Sequence, residues 1–363
     1  MTRIAVAPFL IFFSFVSALL MSGSRVRAQA GYQKQERSFS HLSVEDGLSQ
    51  SSVISIAQDS TGFMWFGTRN CLNRYDTRSF KVYRHSTKDT ASISSNDYIF
   101  ALLRDRRNRL WVGTQRGLNL YLPESDAFER IVHDSMKTGS ISDSYINCIY
   151  EDHKGGIWVG TNNGLNKLVS YNPCRFANFG QASASHEGLV SGEVHAICED
   201  SEGALWIGTS DGLTRISTEN GRRIFTSFQH HTGEAGSLSC NSVSSIAEDR
   251  KGTIWVATEC GGLNAFDRNS AGFIHYLHNA GVANSISSDN IRKIIVDKED
   301  NLWIGTIDGL NYFNTAEKTF TIFRYDPENP HSLSNNSIRD IYEDKYGSVW
   351  VGTVFGGVNV THA

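Results

Sequence analysis

All seven tryptophans of this 363-residue chain stand in one motif, at Trp65, Trp111, Trp158, Trp206, Trp255, Trp303 and Trp350, separated by 46, 47, 48, 49, 48 and 47 residues. Six residues before each stands an aspartate: Asp59, Asp105, Asp152, Asp200, Asp249, Asp297 and Asp344. A period in the forties kept along the whole chain marks a blade or solenoid unit, because each repeat is one supersecondary element that buries its apolar faces only against neighbouring copies. Thirty-two glycines against five prolines fit many short strands joined by tight turns.

The strands can be placed within the repeat. Three residues after each aspartate stands Gly62, Asn108, Gly155, Gly203, Gly252, Asp300 or Gly347, the residue types that accept positive φ, so a tight hairpin is expected there. Strand A precedes it, as in Val53-Ile54-Ser55-Ile56, and strand B follows with the tryptophan, as in Trp65-Phe66-Gly67-Thr68. Strand C carries Gly-Leu-Asn, as in Gly117-Leu118-Asn119, with variants at Cys71, Thr214 and Val358. Strand D is expected to begin with a phenylalanine: Phe80, Phe128, Phe176, Phe225, Phe273 and Phe320. That gives six fourth strands for seven tryptophans, and Phe39-Ser40-His41-Leu42 ahead of the first strand A supplies the missing one. The predicted fold is therefore all-β, a seven-bladed β-propeller whose last blade is closed by the N-terminal strand, which removes the exposed edges of an open stack. An open solenoid would need polar capping repeats, and the first and last repeats resemble the middle ones.

Residues needed once per blade read as fold elements: Asp to accept backbone N–H groups in the A–B turn, Trp to fill the wedge between sheets, and the Gly before Thr to allow close backbone approach. The full pattern, Asp-x-x-Gly-x-(Ile/Leu)-Trp-(Ile/Val)-Gly-Thr-x-x-Gly-Leu-Asn, is preceded by loops such as Gly236-Ser237-Leu238-Ser239. It resembles the two-component regulator propeller repeat over residues 38–361, departing singly at Cys71, Thr214 and Ala257. The resemblance implies a periplasmic sensor of a hybrid two-component system, many of which detect oligosaccharides. It further implies a second propeller, an immunoglobulin-like spacer, a membrane helix, a histidine kinase and often a DNA-binding regulator. No Gly-rich ATP lid or phosphoacceptor helix is found, so kinase activity is not expected of this chain, which is read as a receptor fragment, a truncated product or a free-standing sensor acting through partners.

Residues 1–30 differ from the rest: Arg3 opens them, residues 4–20 are almost wholly apolar, and Ala28-Gln29-Ala30 fits a signal-peptidase site. The expected domains are a signal peptide at 1–30 and the propeller at 31–363, placed in the periplasm. An uncleaved anchor is the alternative, since the apolar run nearly reaches spanning length and Arg25 and Arg27 follow it. A formal net charge of −4 and the lack of a Lys/Arg run argue against nucleic acid as a partner. The six cysteines show no paired spacing, so no disulfide framework is expected, and no CxxC or close Cys/His pair supports zinc. His275 and His278 are expected on opposite faces of one strand, which disfavours a shared metal. No cofactor is expected.

Loops D–A and B–C emerge on one face of a propeller, and they vary between blades where the strands do not, which is where function is placed. From the B–C turns come the expected ligand-binding residues Arg69, Asn70, Arg116, Asn162, Asn163, Asp211, Glu259, Asp308 and Phe355, polar groups suited to sugar hydroxyls, with an added glycine in the fifth and seventh turns (Gly261, Gly356). From the D–A loops come Tyr98, Tyr145 and His195, which could stack on a pyranose ring. The expected function is thus a non-catalytic sensor whose partners are an oligosaccharide or other small ligand, and a second sensor subunit or a histidine kinase. The competing readings are a protein-interaction scaffold and a propeller lyase or hydrolase. For the enzyme reading, His195, Glu193, Glu259 and Asp308 show no diagnostic acid–base spacing.

Overall fold

The computed structural model describes residues 37–182 and 188–361. The expected signal peptide and its cleavage site lie outside the described residues. Among the described residues no helix is long and apolar enough to cross a membrane.

Seven four-stranded antiparallel sheets form the blades. The strands A, innermost, are Val53–Gln58, Ile99–Arg104, Ile146–Glu151, Val194–Glu199, Val243–Glu248, Ile291–Val296 and Ile338–Glu343. The last blade takes its fourth strand from Ser40–Leu42, which pairs with Val358–Thr361 in the register Ser40↔Val360 and Leu42↔Val358. Phe39, 2% exposed, packs beside Trp303, Leu333 and Ile338, and its N–H donates to the His331 carbonyl at 2.9 Å. The ring is closed as the sequence predicts.

The A–B hairpins show why the aspartate recurs. Asp152 Oδ1 accepts the N–H groups of Lys154 (3.0 Å) and Gly156 (2.6 Å), and its Oδ2 accepts the Trp158 indole at 2.9 Å. The same carboxylate-to-indole bond, 2.7–3.0 Å, forms in six blades. In the sixth, Asp297 Oδ1 caps the turn and the Arg37 guanidinium lies 4.9 Å over the Trp303 ring. All seven predicted turn positions have positive φ, including Asn108 (62°) and Asp300 (68°). One short side chain thus holds the turn and orients the ring that fills the gap to the next blade, as where Trp206 meets Phe266 at 4.9 Å.

A second set of bonds ties the opposite ends together. Each strand-B threonine donates its hydroxyl to a carbonyl across the B–C turn at 2.8–3.1 Å. The Gly-Leu-Asn asparagine accepts the N–H of a serine in the preceding D–A loop, as Asn119 does from Ser94 at 2.8 Å. Thr214 departs from the pattern in sequence but not in role, since its hydroxyl accepts the N–H of Val190 at 3.0 Å.

Three expectations are corrected. Cys240 and Cys260 are joined in a disulfide, 20 residues apart and 5.8 Å between Cα atoms. The bond runs from the D–A loop to the B–C turn of one blade, two segments that the fold lays side by side, so no short cysteine spacing announces it. Strand D starts before its phenylalanine in most blades, as in Cys174–Phe179 and Arg222–Phe228. His278 lies beyond the end of strand D (Gly272–Tyr276), and the two histidines are held separately, His275 by the Ser237 carbonyl and His278 by that of Ile286.

Candidate functional site

The first residue of every strand A is β-branched and 0% exposed: Val53, Ile99, Ile146, Val194, Val243, Ile291 and Ile338. Six of the seven pack against a strand-B glycine, and Ile291 packs against Ala257; a Cβ on Gly208 would lie 2.5 Å from Val243, and one on Gly305 would lie 2.6 Å from Ile338. The next residue is then skipped by the ladder in all seven blades, as where Val194 faces Thr209 and Ala196, not His195, faces Gly208. This is a β-bulge, which re-aims one side chain out of the sheet. The seven bulge residues are Ile54, Phe100, Asn147, His195, Ser244, Arg292 and Arg339, and all line a central cavity of about 950 Å³.

The scaffold repeats and the side chains do not. Blades one to three give an apolar and aromatic wall: the Arg69 guanidinium lies 5.2 Å over Tyr98, Tyr98 stacks on Phe100 at 5.4 Å, and Phe100 meets Tyr145 at 5.1 Å. Tyr98 holds φ of 47°, strained for a bulky residue, fixed by its N–H donating to the Arg69 carbonyl at 3.0 Å. Asn147 donates to Asn162 Oδ1 at 2.9 Å. Blades four and five give acids and a histidine, with His195 Nε2 3.3 Å from Glu193 Oε1, and Glu259 Oε2 accepting the Ser242 hydroxyl at 3.0 Å. Blades six and seven give cations: Arg292, Lys293 and Arg339, with Lys293 paired to Asp340 at 3.0 Å.

Electrostatics follow from this layout. Burial, then the neighbouring Arg292 charge, pulls the Arg339 guanidinium below its ordinary value, against the opposing effect of Glu259 and Asp340. Burial pushes the Tyr145 hydroxyl up, with Tyr98 and Glu193 adding to it. Burial likewise drives the Cys148 thiol up to about 12, so it is not a nucleophile at neutral pH.

Of the residues expected from sequence, Tyr145, Asn162, His195 and Glu259 line the cavity, and Arg69 and Tyr98 join it through the aromatic row. His195 comes from the bulge of strand A, not from a loop. The remaining residues share a physical reason for standing apart. The first B–C residue turns inward, its N–H bonded to the carbonyl ahead of strand A, as Asn162 to Tyr145 and Glu259 to Ser242. The second donates its N–H to the strand-B threonine hydroxyl and turns outward, as Arg116, Asn163, Asp211 and Asp308 do. Asp211 and Asp308 are occupied by Asn241 (3.0 Å) and Arg324 (2.9 Å), Asn70 bridges to Asp97, and Phe355 stands 72% exposed. Sequence reasoning missed Phe100, Asn147, Ser244, Arg292 and Arg339. Their signal was present: one variable residue directly after the β-branched start of each strand A.

Comparisons with known proteins complete the picture. The family model described as "two component regulator propeller" matches seven segments: residues 47–70, 92–116, 140–163, 188–211, 237–260, 285–308 and 332–355. The extracellular domain of a hybrid two component system from Bacteroides thetaiotaomicron is 28% identical, with a TM-score of 0.76 over 90% of this chain and 42% of that one. Histidine kinase P4 of Formosa agariphila is 57% identical over 49 residues, which is 14% of this chain and 4% of the kinase. The chain thus spans less than half the length of these relatives. Virginiamycin B lyase from Staphylococcus aureus shares the fold alone, at 11% identity and a TM-score of 0.63 over 90% of this chain and 98% of the lyase.

Proposed function

Because the chain belongs to the two component regulator propeller family, we propose that it is the ligand-sensing domain of a two component signalling receptor and that it binds an oligosaccharide at the mouth of its central cavity without changing it chemically. One observation carries the reading: seven identical bulges present seven positions to one cavity, and these hold Ile, Phe, Asn, His, Ser, Arg and Arg. A scaffold that needed only the ring would have no reason to vary the one position its fold aims at the axis. The aromatic row Tyr98, Phe100 and Tyr145 offers faces for pyranose stacking, and the amides of Asn147 and Asn162 offer both donors and acceptors.

Residues 1–30 act as the signal peptide, leaving 31–363 in the periplasm. The Cys240–Cys260 bridge supports that compartment, since disulfides persist where the surroundings are oxidising. The partner is a histidine kinase or a second sensor subunit, the former in keeping with the kinase relative.

The test is a thermal-shift screen against oligosaccharides of varied linkage, followed by calorimetry. A ligand that binds only the native state at about a hundred times its Kd stabilises by roughly 2.7 kcal/mol. Saturable stabilisation supports the sensor. A folded protein that no glycan shifts, but that forms a complex with protein partners in the absence of small ligand, makes it an interaction scaffold instead. The lyase reading has one observation in its favour, the His195–Glu193 pair at 3.3 Å inside the mouth. Chromatography of a bound oligosaccharide after prolonged incubation decides it: any cleavage product that vanishes in His195→Ala would overturn the non-catalytic reading.

A further inference from the structure

Three of the four Lys/Arg side chains lining the cavity, Arg292, Lys293 and Arg339, are gathered in adjacent blades, and only Arg104 stands apart, at the A–B end of its strand in blade two. Arg292 and Arg339 occupy the same bulge position in adjacent blades, so their backbones leave neighbouring strands at one level with both side chains lining the cavity. The nearby carboxylates are largely engaged elsewhere. Asp340 takes Lys293 on Oδ1 at 3.0 Å and the Ile56 N–H on Oδ2 at 2.7 Å, and Glu259 accepts from Ser242 at 3.0 Å. Arg292 Nε is buried and has no hydrogen-bond partner. A buried, unpartnered guanidinium N–H costs stability, as do two like charges on adjoining strands, and a fold keeps such an arrangement where something else supplies the acceptor. On the opposite wall Ile54, Phe100 and Tyr145 carry no charge and the cations stand singly, Arg69 over Tyr98 and Arg104 at the A–B end of its strand, so the pair on adjoining strands is the concentrated positive charge at the level of the bulges.

We propose that Arg292 and Arg339 form an oxyanion subsite of the cavity, and that the ligand is an acidic oligosaccharide whose carboxylate or sulfate sits between the two guanidinium groups while a sugar face lies on the Phe100–Tyr145 side. This rests on the sensor reading and adds the ligand class to it. The planar fork of arginine suits both oxyanions, each of which can accept paired N–H bonds, whereas a neutral sugar would leave in place a repulsion that Glu259 and Asp340 offset only in part. Arg339 is pulled below its ordinary value by burial and by Arg292, so an anion placed between them would be bound against less competition from water and would relieve their repulsion.

The experiment is calorimetric titration of the purified protein with three probes of matched length: a neutral galacto-oligosaccharide, an oligogalacturonate and a sulfated galacto-oligosaccharide. Each is repeated on Arg292→Gln, Arg339→Gln, Arg339→Lys and, as a control outside the cavity, Arg324→Gln. The expected result is binding of one or both acidic probes, weakened roughly tenfold or more by either glutamine substitution, the scale of a charge-assisted hydrogen bond. Arg339→Lys should recover part of the loss and Arg324→Gln should cost nothing. Thermal melts of each variant show whether it is folded. Preference for oligogalacturonate or for the sulfated probe identifies the oxyanion. Binding of the neutral probe with equal affinity, unchanged in Arg292→Gln and Arg339→Gln, overturns the subsite and leaves the sensor reading intact. Acidic binding that Arg324→Gln weakens as much as Arg339→Gln also overturns it, as general charge attraction. No binding of any probe by the folded protein counts against both readings.

Discussion

The two faces of the ring are built from the same repeat and treat their polar residues in opposite ways. On the face of the A–B turns, most polar side chains are used up by the fold, with Arg215 Nε and Thr361 Oγ1 the buried exceptions among the described residues. Glu151 accepts the N–H of Arg106 in the preceding blade at 2.9 Å, Glu199 that of His153 at 2.6 Å and Glu248 that of Ser201 at 2.7 Å, so even residues that differ between blades serve as links from blade to blade. On the face of the D–A loops and B–C turns, several groups are left over. Arg292 Nε, Asn290 Oδ1, Ser239 Oγ and Ser334 Oγ are buried without a partner. The two serines show how the surplus arises. In blades two, three and six the equivalent hydroxyl meets the strand-B threonine at 2.9 Å, but in the fifth and seventh blades the added glycine of the B–C turn, Gly261 or Gly356, lies directly against the serine hydroxyl and no such bond forms. One face is closed on itself for the most part, and the other keeps more groups open to whatever arrives.

The largest expected effect falls on the closed face. Trp206 is 0% exposed, meets Phe228 and Phe266 and is held by Asp200 at 2.8 Å. Trp206→Ala should cost about 3–5 kcal/mol, the range for deleting a large core aromatic. On the open face, Asn147→Ala should stay within about 0.5 kcal/mol. Urea denaturation of the three proteins measures both. If Asn147→Ala costs as much as Trp206→Ala, the contrast between a face that holds the fold and a face that does not is lost.

Next in size is the disulfide, the one covalent tie on the open face. In the chain-entropy account, closing a loop of this length contributes about 3 kcal/mol. The Cys240→Ala/Cys260→Ala double variant should lose up to that amount, and reductant should lower the midpoint of the parent protein without moving that of the variant. Reductant acting equally on both would show that the bond contributes nothing. The four other cysteines are free, and two of them, Cys71 and Cys198, are buried.

A third effect should have the opposite sign. If the open face holds uncompensated charge for a ligand, removing one charge helps the unliganded fold. Arg339→Met should raise the unliganded midpoint, by roughly 1 kcal/mol at the low end of what replacing buried charge by apolar volume yields. A destabilised Arg339→Met would mean that Arg339 is satisfied within the ring and that the two faces do not differ in this respect.

How much of this could be read from the residues alone follows the same division. The blade count, the turn residues, the Asp–Trp bond and the closing strand at Phe39 were legible because each is a local requirement repeated seven times, and repetition separates it from chance. The cavity was legible in part. Tyr145, Asn162, His195 and Glu259 were found because loops vary, but the bulge was not, since it inserts no glycine and breaks no hydrophobic pattern. Without it, strict alternation sends Phe100, Arg292 and Arg339 into a sheet face, not toward the axis. The Cys240–Cys260 pair was hidden for a related reason: the contact belongs to the way two segments of a blade lie together, not to their spacing in the chain.

The smallest effect concerns how the closed face responds to acid, and it tests whether its aspartates act as charged groups at all. Asp152 is buried, which by itself raises its carboxyl, yet the Trp158 indole, the Gly156 N–H and the Lys167 ammonium 3.4 Å away outweigh burial and hold it below the ordinary carboxylate value. A group whose folded value is depressed contributes stability that is fully present above its unfolded value of about 3.9 and is lost as pH falls through the folded value. Asp152→Asn should therefore be less stable than the parent at pH 7, and the gap between them should narrow as pH drops from about 5 toward 3. Denaturant midpoints of both proteins across that window measure it. Parallel curves would mean that the carboxylate binds its partners no better charged than neutral, and the repeated aspartate would then owe its place to turn geometry alone.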